Sequence, residues 1–307
     1  MSASRTDARA PSGLVWSALS VVYVVWGSTY LAIAFLVDSM PPLLSLGTRF
    51  VVAAGILAAL VRWRQGPHAL RVTGAEVRGA AVIGALLLAG GLGAVAIAEL
   101  NGVPSGVAAL LVAALPLWAA VLRRLGGDRP GAATIAGIAI GFAGLAILIA
   151  PEALSEGALG APVPWMLLIV AGTMSWATGS WLSGRLSLPS DPFVLTVYEM
   201  LLGGLVLMAI GTIRGEWAGL DPDSWTNASL LAWLYLVLIG SVLAFTAFVW
   251  LVRSAPLSLV FTYAYVNPVI AVLLGSLLRD EPITAVLIVG GTITVVGVLL
   301  VVRGETR

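Results

Sequence analysis

Ten stretches of about twenty mostly apolar residues, separated by short polar connections, run along the 307-residue chain at 14–37, 44–63, 79–98, 103–122, 132–150, 163–183, 193–213, 229–250, 257–278 and 283–302. A hydrocarbon layer of about 30 Å needs about 20 residues of helix to cross it. The pattern therefore predicts an all-α polytopic membrane protein with ten transmembrane helices and almost no soluble mass. The first stretch is too long for a secretory leader and lacks a small-residue cleavage site, so it is expected to stay in place behind a short tail.

Polar and aromatic interruptions recur at a fixed offset. Trp26 aligns with Trp176, Ser28 with Thr178, Pro42 with Pro192 and Arg49 with Glu199. Past two inserted residues, Pro104 aligns with Pro256, Pro116 with Pro268, Asp128 with Asp280 and Pro130 with Pro282. Each copy holds five expected helices, an odd number, so the second copy is expected to be threaded in the opposite direction. Inverted repeats of this kind are used by secondary transporters, whose sites lie between the halves near the midplane. Two tandem copies of a purely structural bundle are the alternative.

Composition agrees with this picture. Mean hydropathy is +1.04 and only 10% of residues are charged, outside the range of water-soluble domains. All sixteen positive residues are arginines. With the N-terminus inside, thirteen of them fall in cytoplasmic segments, only Arg214 and Arg279 in outer loops, and Arg49 within a span. The positive-inside rule then places both termini in the cytoplasm. The expected organisation is a cytoplasmic tail at 1–13, a first repeat at 14–150, a periplasmic linker at 151–162, a second repeat at 163–302 and a cytoplasmic tail at 303–307.

The interruptions supply the candidate site. Trp26 and Trp176 are the tryptophans near mid-depth; most others, such as Trp16 and Trp63, fall near helix ends, where indoles anchor at the headgroups. The pair reads either as packing residues or as aromatic walls of a cavity, and apolar, aromatic linings are usual for small-molecule pockets. Tyr23, Trp26 and Tyr30 share one helix face, as do Trp176 and Ser180. Ser28, Thr29, Ser180 and Asn267 offer hydrogen bonds, and Tyr263 and Tyr265 offer stacking surface beside Pro268. Pro116 and Pro268, well inside their helices, each remove an amide donor and are candidate kinks. Gly27, Gly179 and the "AGGLG" at 89–93 read as close-packing positions.

Charges inside spans are costly and functionally suspect. Arg49 and Glu199 lie some residues in from the helix ends, and Glu99 lies at the outer end of the third helix. They either snorkel to headgroups or act in gating or proton coupling, with Glu99 the expected partner of Arg49. Other chemistry is excluded by what is missing. There is no cysteine, the one histidine, His68, falls in a loop, and all seven aspartates lie in loops, tails or at helix ends. No nucleophile with a base, no metal-ligand cluster and no phosphate-binding loop is legible. No enzyme activity, no cofactor, no metal and no nucleic-acid partner is expected; the partners are the bilayer and a small-molecule substrate, and a monomer suffices.

"VVWGSTYLAI", "PPLLSLGTRF", "NGVPSGVAALLVAALPL", "GTMSWATGSW" and "FTYAYVNPVIAVLLGSLLRDEP" resemble the EamA family of the drug/metabolite transporter superfamily, in its bacterial inner-membrane branch of YddG- and YedA-like exporters. The resemblance spans about 14–302. It implies export of small metabolites, amino acids including aromatic ones, through a central cavity by alternating access without ATP; a proton-coupled exporter of broad specificity is the alternative. It also implies that Trp26 and Trp176 are cavity tryptophans. The YddG-like pattern has a third aromatic before the proline of the fourth helix, where this chain has Leu115.

Overall fold

A computed structural model describes residues 12–127, 131–154, 162–255, 257–260 and 262–305. Among these the regular structure is helical throughout. The helices are α1 (Ser12–Val37), α2 (Pro42–Gln65), α3 (Gly74–Leu100), α4 (Ser105–Leu125), α5 (Ala132–Leu154), α6 (Val163–Ser183), α7 (Pro192–Ile213), α8 (Asn227–Val252), α9 (Tyr263–Arg279) and α10 (Ala285–Glu305). Eight are long and apolar enough to cross a membrane. The other two differ from the expected pattern in composition or in length. Helix α6 has the length, but Thr173, Ser175, Thr178, Ser180 and Ser183 dilute its hydropathy. The expected span 257–278 is described as the single turn Leu257–Val260 and α9, with Thr262 in a turn and its hydroxyl donating to the Leu259 carbonyl.

Helix starts are capped by local chemistry. Thr73 and Glu76 form a reciprocal capping box on α3, Asp191 accepts from the Phe193 and Val194 amides on α7, and Thr226 accepts from Ser229 on α8. Helices α2 and α4 begin behind prolines and lack a cap of their own. Carboxylates from far along the chain take that role. Glu216 accepts from the amides of Leu43 and Leu44 (3.0 and 2.9 Å), and Glu281 from those of Ser105 and Gly106 (2.9 and 3.1 Å). Unpaired amides at a helix N-terminus favour such anions.

Two helix pairs form the scaffold, α2 with α7 and α5 with α10. Both are glycine-spaced and antiparallel. Gly211 faces Leu43, Gly204 faces Gly47 and Phe50, and Val194 and Val197 cluster with Leu57 and Val61. A methyl group on Gly204 would stand 2.9 Å from the Gly47 carbonyl oxygen, so only glycine lets these backbones meet. Along α5 and α10, Gly304 faces Thr134, Gly297 faces Gly137 and Gly141, and Gly290 faces Gly144 and Leu148. Around this scaffold α1 packs on α8 and α9, while α6 packs on α3 and α4.

Helices α3 and α8 each widen into π geometry midway, at Ala85–Leu92 and Leu236–Phe245. Helix α4 breaks at Ala113 and Ala114, and Pro116 opens its second piece, Leu115–Leu125. Pro268, by contrast, lies inside α9, which runs through it. Asp128, Pro130, Pro256 and the ends of the expected tail and linker lie outside the described residues, as does the side chain of Tyr265.

Candidate functional site

The irregular helix segments converge on a cavity. It holds about 680 Å³ of atom-free space, the open solvent at its mouth included, of which only about 50 Å³ admits the centre of a water molecule. A single water needs roughly 10–15 Å³ on that measure, so the cavity as it stands is narrow. Its wall is drawn from α1, α2, α3, α4, α6, α8 and α9; neither α5, α7 nor α10 contributes.

Aromatic rings dominate one side. Trp26 of α1 and Trp176 of α6 meet edge to face, with centroids 6.0 Å apart and planes at 84°. Tyr263 packs edge-on against Trp26 at 5.3 Å, and Phe248 lies 4.7 Å from the same ring. Such offset and perpendicular contacts add to the gain from burying the rings. The Trp176 ring has a seat because Gly91 lies beneath it: a methyl group there would stand 2.7 Å from Cε3. Gly27 and Gly179 instead abut Ile270 and Leu87, as close-packing positions do.

Of the residues singled out from sequence, Trp26, Thr29, Tyr30, Trp176 and Tyr263 line the cavity, and so does Arg49. Others do not. Ser28 turns its hydroxyl to the Val25 carbonyl (2.8 Å) and the Tyr235 hydroxyl (2.6 Å). Ser180 donates to the Trp176 carbonyl at 2.9 Å. In both cases the helix's own backbone outcompetes a ligand, as it does for hydroxyls held mid-helix. Asn267 is buried, and its amide donates to the carbonyls of Tyr23 (3.1 Å) and Tyr263 (3.2 Å), fastening α9 to α1. Tyr23 bonds through its hydroxyl to Thr262.

The three in-span charges are buried in protein: Arg49 is 3% exposed, Glu199 4% and Glu99 8%. Snorkelling is thereby excluded for them. The expected pairing of Arg49 with Glu99 is also absent. Arg49 donates through Nε to Ser241 (2.9 Å) and lies over the Phe50 ring at 4.4 Å, while one terminal nitrogen has no partner. Both Glu99 oxygens lack a hydrogen bond, and the charged groups acting on that carboxyl are Glu281, Arg279 and Asp38. The register explains the miss: Arg49 reaches across to the π segment of α8, not along to the end of α3.

Sequence reasoning overlooked Phe50, Phe245 and Phe248. The spacing of Phe245 and Phe248 puts them on one face, but nothing in the pattern shows that this face turns toward Trp26. The π segments supply Leu92, Gly240 and Phe245 to the wall, and such segments are frequent at functional sites.

Apolar helices are thus packed around a narrow aromatic cavity with a charge buried at its edge, and the class of protein is given by its relatives, which are membrane transporters. The EamA-like transporter family matches residues 12–150 and again residues 163–303, and the chain belongs to it. It is 40% identical over 293 residues to the inner membrane transporter YedA of Escherichia coli K12, covering 95% of this chain and 91% of that protein. It is 26% identical to a chloroplastic WAT1-related protein of Arabidopsis thaliana, over 94% of this chain and 69% of that one. The transporter YvbV of Bacillus subtilis is 25% identical, with 92% and 90% covered. A crystal structure at 19% identity superposes with a TM-score of 0.64 over 96% of this chain and 98% of that one, a likeness of fold alone.

Proposed function

We propose that the protein is a secondary transporter that exports small metabolites, amino acids including aromatic ones among them, from the cytoplasm by alternating access to the Trp26–Trp176 cavity. It works as a monomer of ten spans in two inverted five-helix repeats, in the inner membrane of a bacterium, with both termini cytoplasmic. Several observations support this reading. The family matches the chain twice, and α2 runs antiparallel to α7, its repeat counterpart, as α5 does to α10. The arginine distribution favours that orientation, and the Escherichia coli relative carries the name of an inner membrane transporter. The observation that carries the reading is the indole pair, one ring from each half, meeting at 6.0 Å across the cavity wall. The Trp26→Ala and Trp176→Ala proteins are expected to fold and to lose at least tenfold of amino-acid flux in proteoliposomes. Full flux in both would remove the cavity from the transport path.

One observation favours a proton-coupled exporter of broad specificity as a second reading: the buried Glu99 carboxyl has no hydrogen-bond partner, and in such a setting it gives up or takes a proton as its surroundings change. Transport by Glu99→Gln that still responds fully to a pH gradient would eliminate that role.

A further inference from the structure

Among the residues that line the cavity, the buried side-chain polar atoms without a hydrogen-bond partner are of one kind. A terminal guanidinium nitrogen of Arg49 and the indole nitrogen of Trp176 are both buried and both lack a hydrogen-bond partner. Both are donors. Arg49 is the one charged residue in the cavity wall, which holds no aspartate or glutamate. The hydroxyls of Thr29 and Thr173 already donate to the carbonyls of Trp26 and Val170, so toward the cavity they offer only lone pairs. A buried cation without a counter-ion is strongly unfavourable, and nature seldom leaves one unless a partner arrives.

We infer that the cavity takes organic anions, specifically carboxylates with an apolar or aromatic tail and no free ammonium group, and that Arg49 is the residue that binds the carboxylate. The inference rests on the transport reading of this cavity, keeps its class of small metabolites and puts such acids in place of amino acids as the preferred solutes. A carboxylate accepts from two donors at once and neutralises the guanidinium, the geometry in which arginine excels. The tail lies against Trp26, Trp176 and Phe245. A zwitterionic amino acid brings the same carboxylate but also an ammonium group. That group finds no carboxylate in the wall, only aromatic faces beside a like charge, and it must be stripped of water to enter.

Four probes that differ only at the polar end separate these cases: 3-phenylpropionate, L-phenylalanine, 3-phenylpropanamide and phenethylamine. Each is titrated into the purified full-length protein and binding is read by quenching of tryptophan fluorescence. 3-Phenylpropionate is expected to bind at least tenfold more tightly than the amide or L-phenylalanine, and phenethylamine most weakly. Arg49→Gln is expected to lower affinity for 3-phenylpropionate at least tenfold and to leave the amide within about twofold; Arg49→Lys recovers part of the loss. Trp176→Ala weakens the amide as well as the acid, because it removes the tail's wall together with the indole donor, while Arg49 still favours the acid. The ranking on the unaltered protein decides the matter even if no Arg49 variant folds. L-Phenylalanine or the amide binding as well as the acid overturns the anion assignment and leaves the cavity reading intact. Binding of the acid that is indifferent to Trp176→Ala overturns both, as does a failure of all four probes to bind.

Discussion

At the scale of single residues, position in the repeat was a better guide than chemistry. Trp26 and Trp176 were legible because an indole at mid-depth, echoed at a fixed offset, has no anchoring use, and both line the cavity. Ser28, Ser180 and Asn267 were chosen for their hydrogen-bonding groups and are spent on the protein's own carbonyls and on Tyr235. A hydroxyl or amide in a helix within an apolar medium satisfies itself nearby first, so polarity alone does not mark a ligand contact. Glycine beneath an aromatic ring is the complementary case. Gly91→Val is expected to push the Trp176 ring off its seat, at a cost of about 1–3 kcal/mol of overpacking, and to reduce transport severalfold. Thermal unfolding together with flux would check it, and a Gly91→Val protein that transports normally would show that the ring's position is unimportant.

At the scale of elements, the glycine-spaced pairs carry stability and the irregular helices carry the cavity. Within a bilayer, lipid tails remove the hydrophobic drive between helices, so close van der Waals contact at small residues decides which helices pair. Gly297 sits against the backbone of Gly141 and Gly137, where a methyl carbon would stand 2.3 Å from the Gly141 amide nitrogen. Gly297→Leu is therefore expected to lower stability by roughly 2–4 kcal/mol, seen as a fall in the unfolding midpoint in detergent. Because α5 and α10 lie outside the cavity wall, the apparent substrate affinity of the folded fraction should not move. The length and period of the apolar runs announced most of these helices. The π segments of α3 and α8 were not announced: a switch from i→i+4 to i→i+5 bonding changes which side chains face inward without changing composition. Gly240 and Phe245 reach the cavity through that switch.

At the scale of the whole molecule, the two halves are tied together at the end where α1 stops. Where α1 ends, Asp38 holds Arg279 bidentately at 2.6 and 3.1 Å, Ser39 bonds Ser229 at 2.8 Å, and Glu216 and Glu281 cap α2 and α4 from the other half. At the opposite end, Gln65 bonds Asp191 and the Tyr198 hydroxyl donates to the Leu70 carbonyl, which joins α2 and its following loop to α7. In the proposed orientation the tied end is periplasmic, and its bonds must break for solute to leave. The Asp38–Arg279 pair is partly exposed, so its worth is about 1 kcal/mol or less, enough to shift an open–closed balance by up to roughly fivefold. Asp38→Asn is expected to make a single cysteine placed at Ile33, on the cavity wall, react up to severalfold faster with an impermeant maleimide. The natural chain has no cysteine, so the label reports that site alone. An unchanged rate would show that the pair does not hold the gate.

The chain by itself determined that this is a helical membrane protein with a twofold internal echo and an indole in each copy, because bilayer thickness and repeat offset are one-dimensional quantities. Only the tertiary structure decided what Arg49 faces, that Glu99 is not its partner, and which aromatics close on Trp26. Those outcomes depend on helix rotation and on π-helical register, and both are set by packing between segments about 200 residues apart.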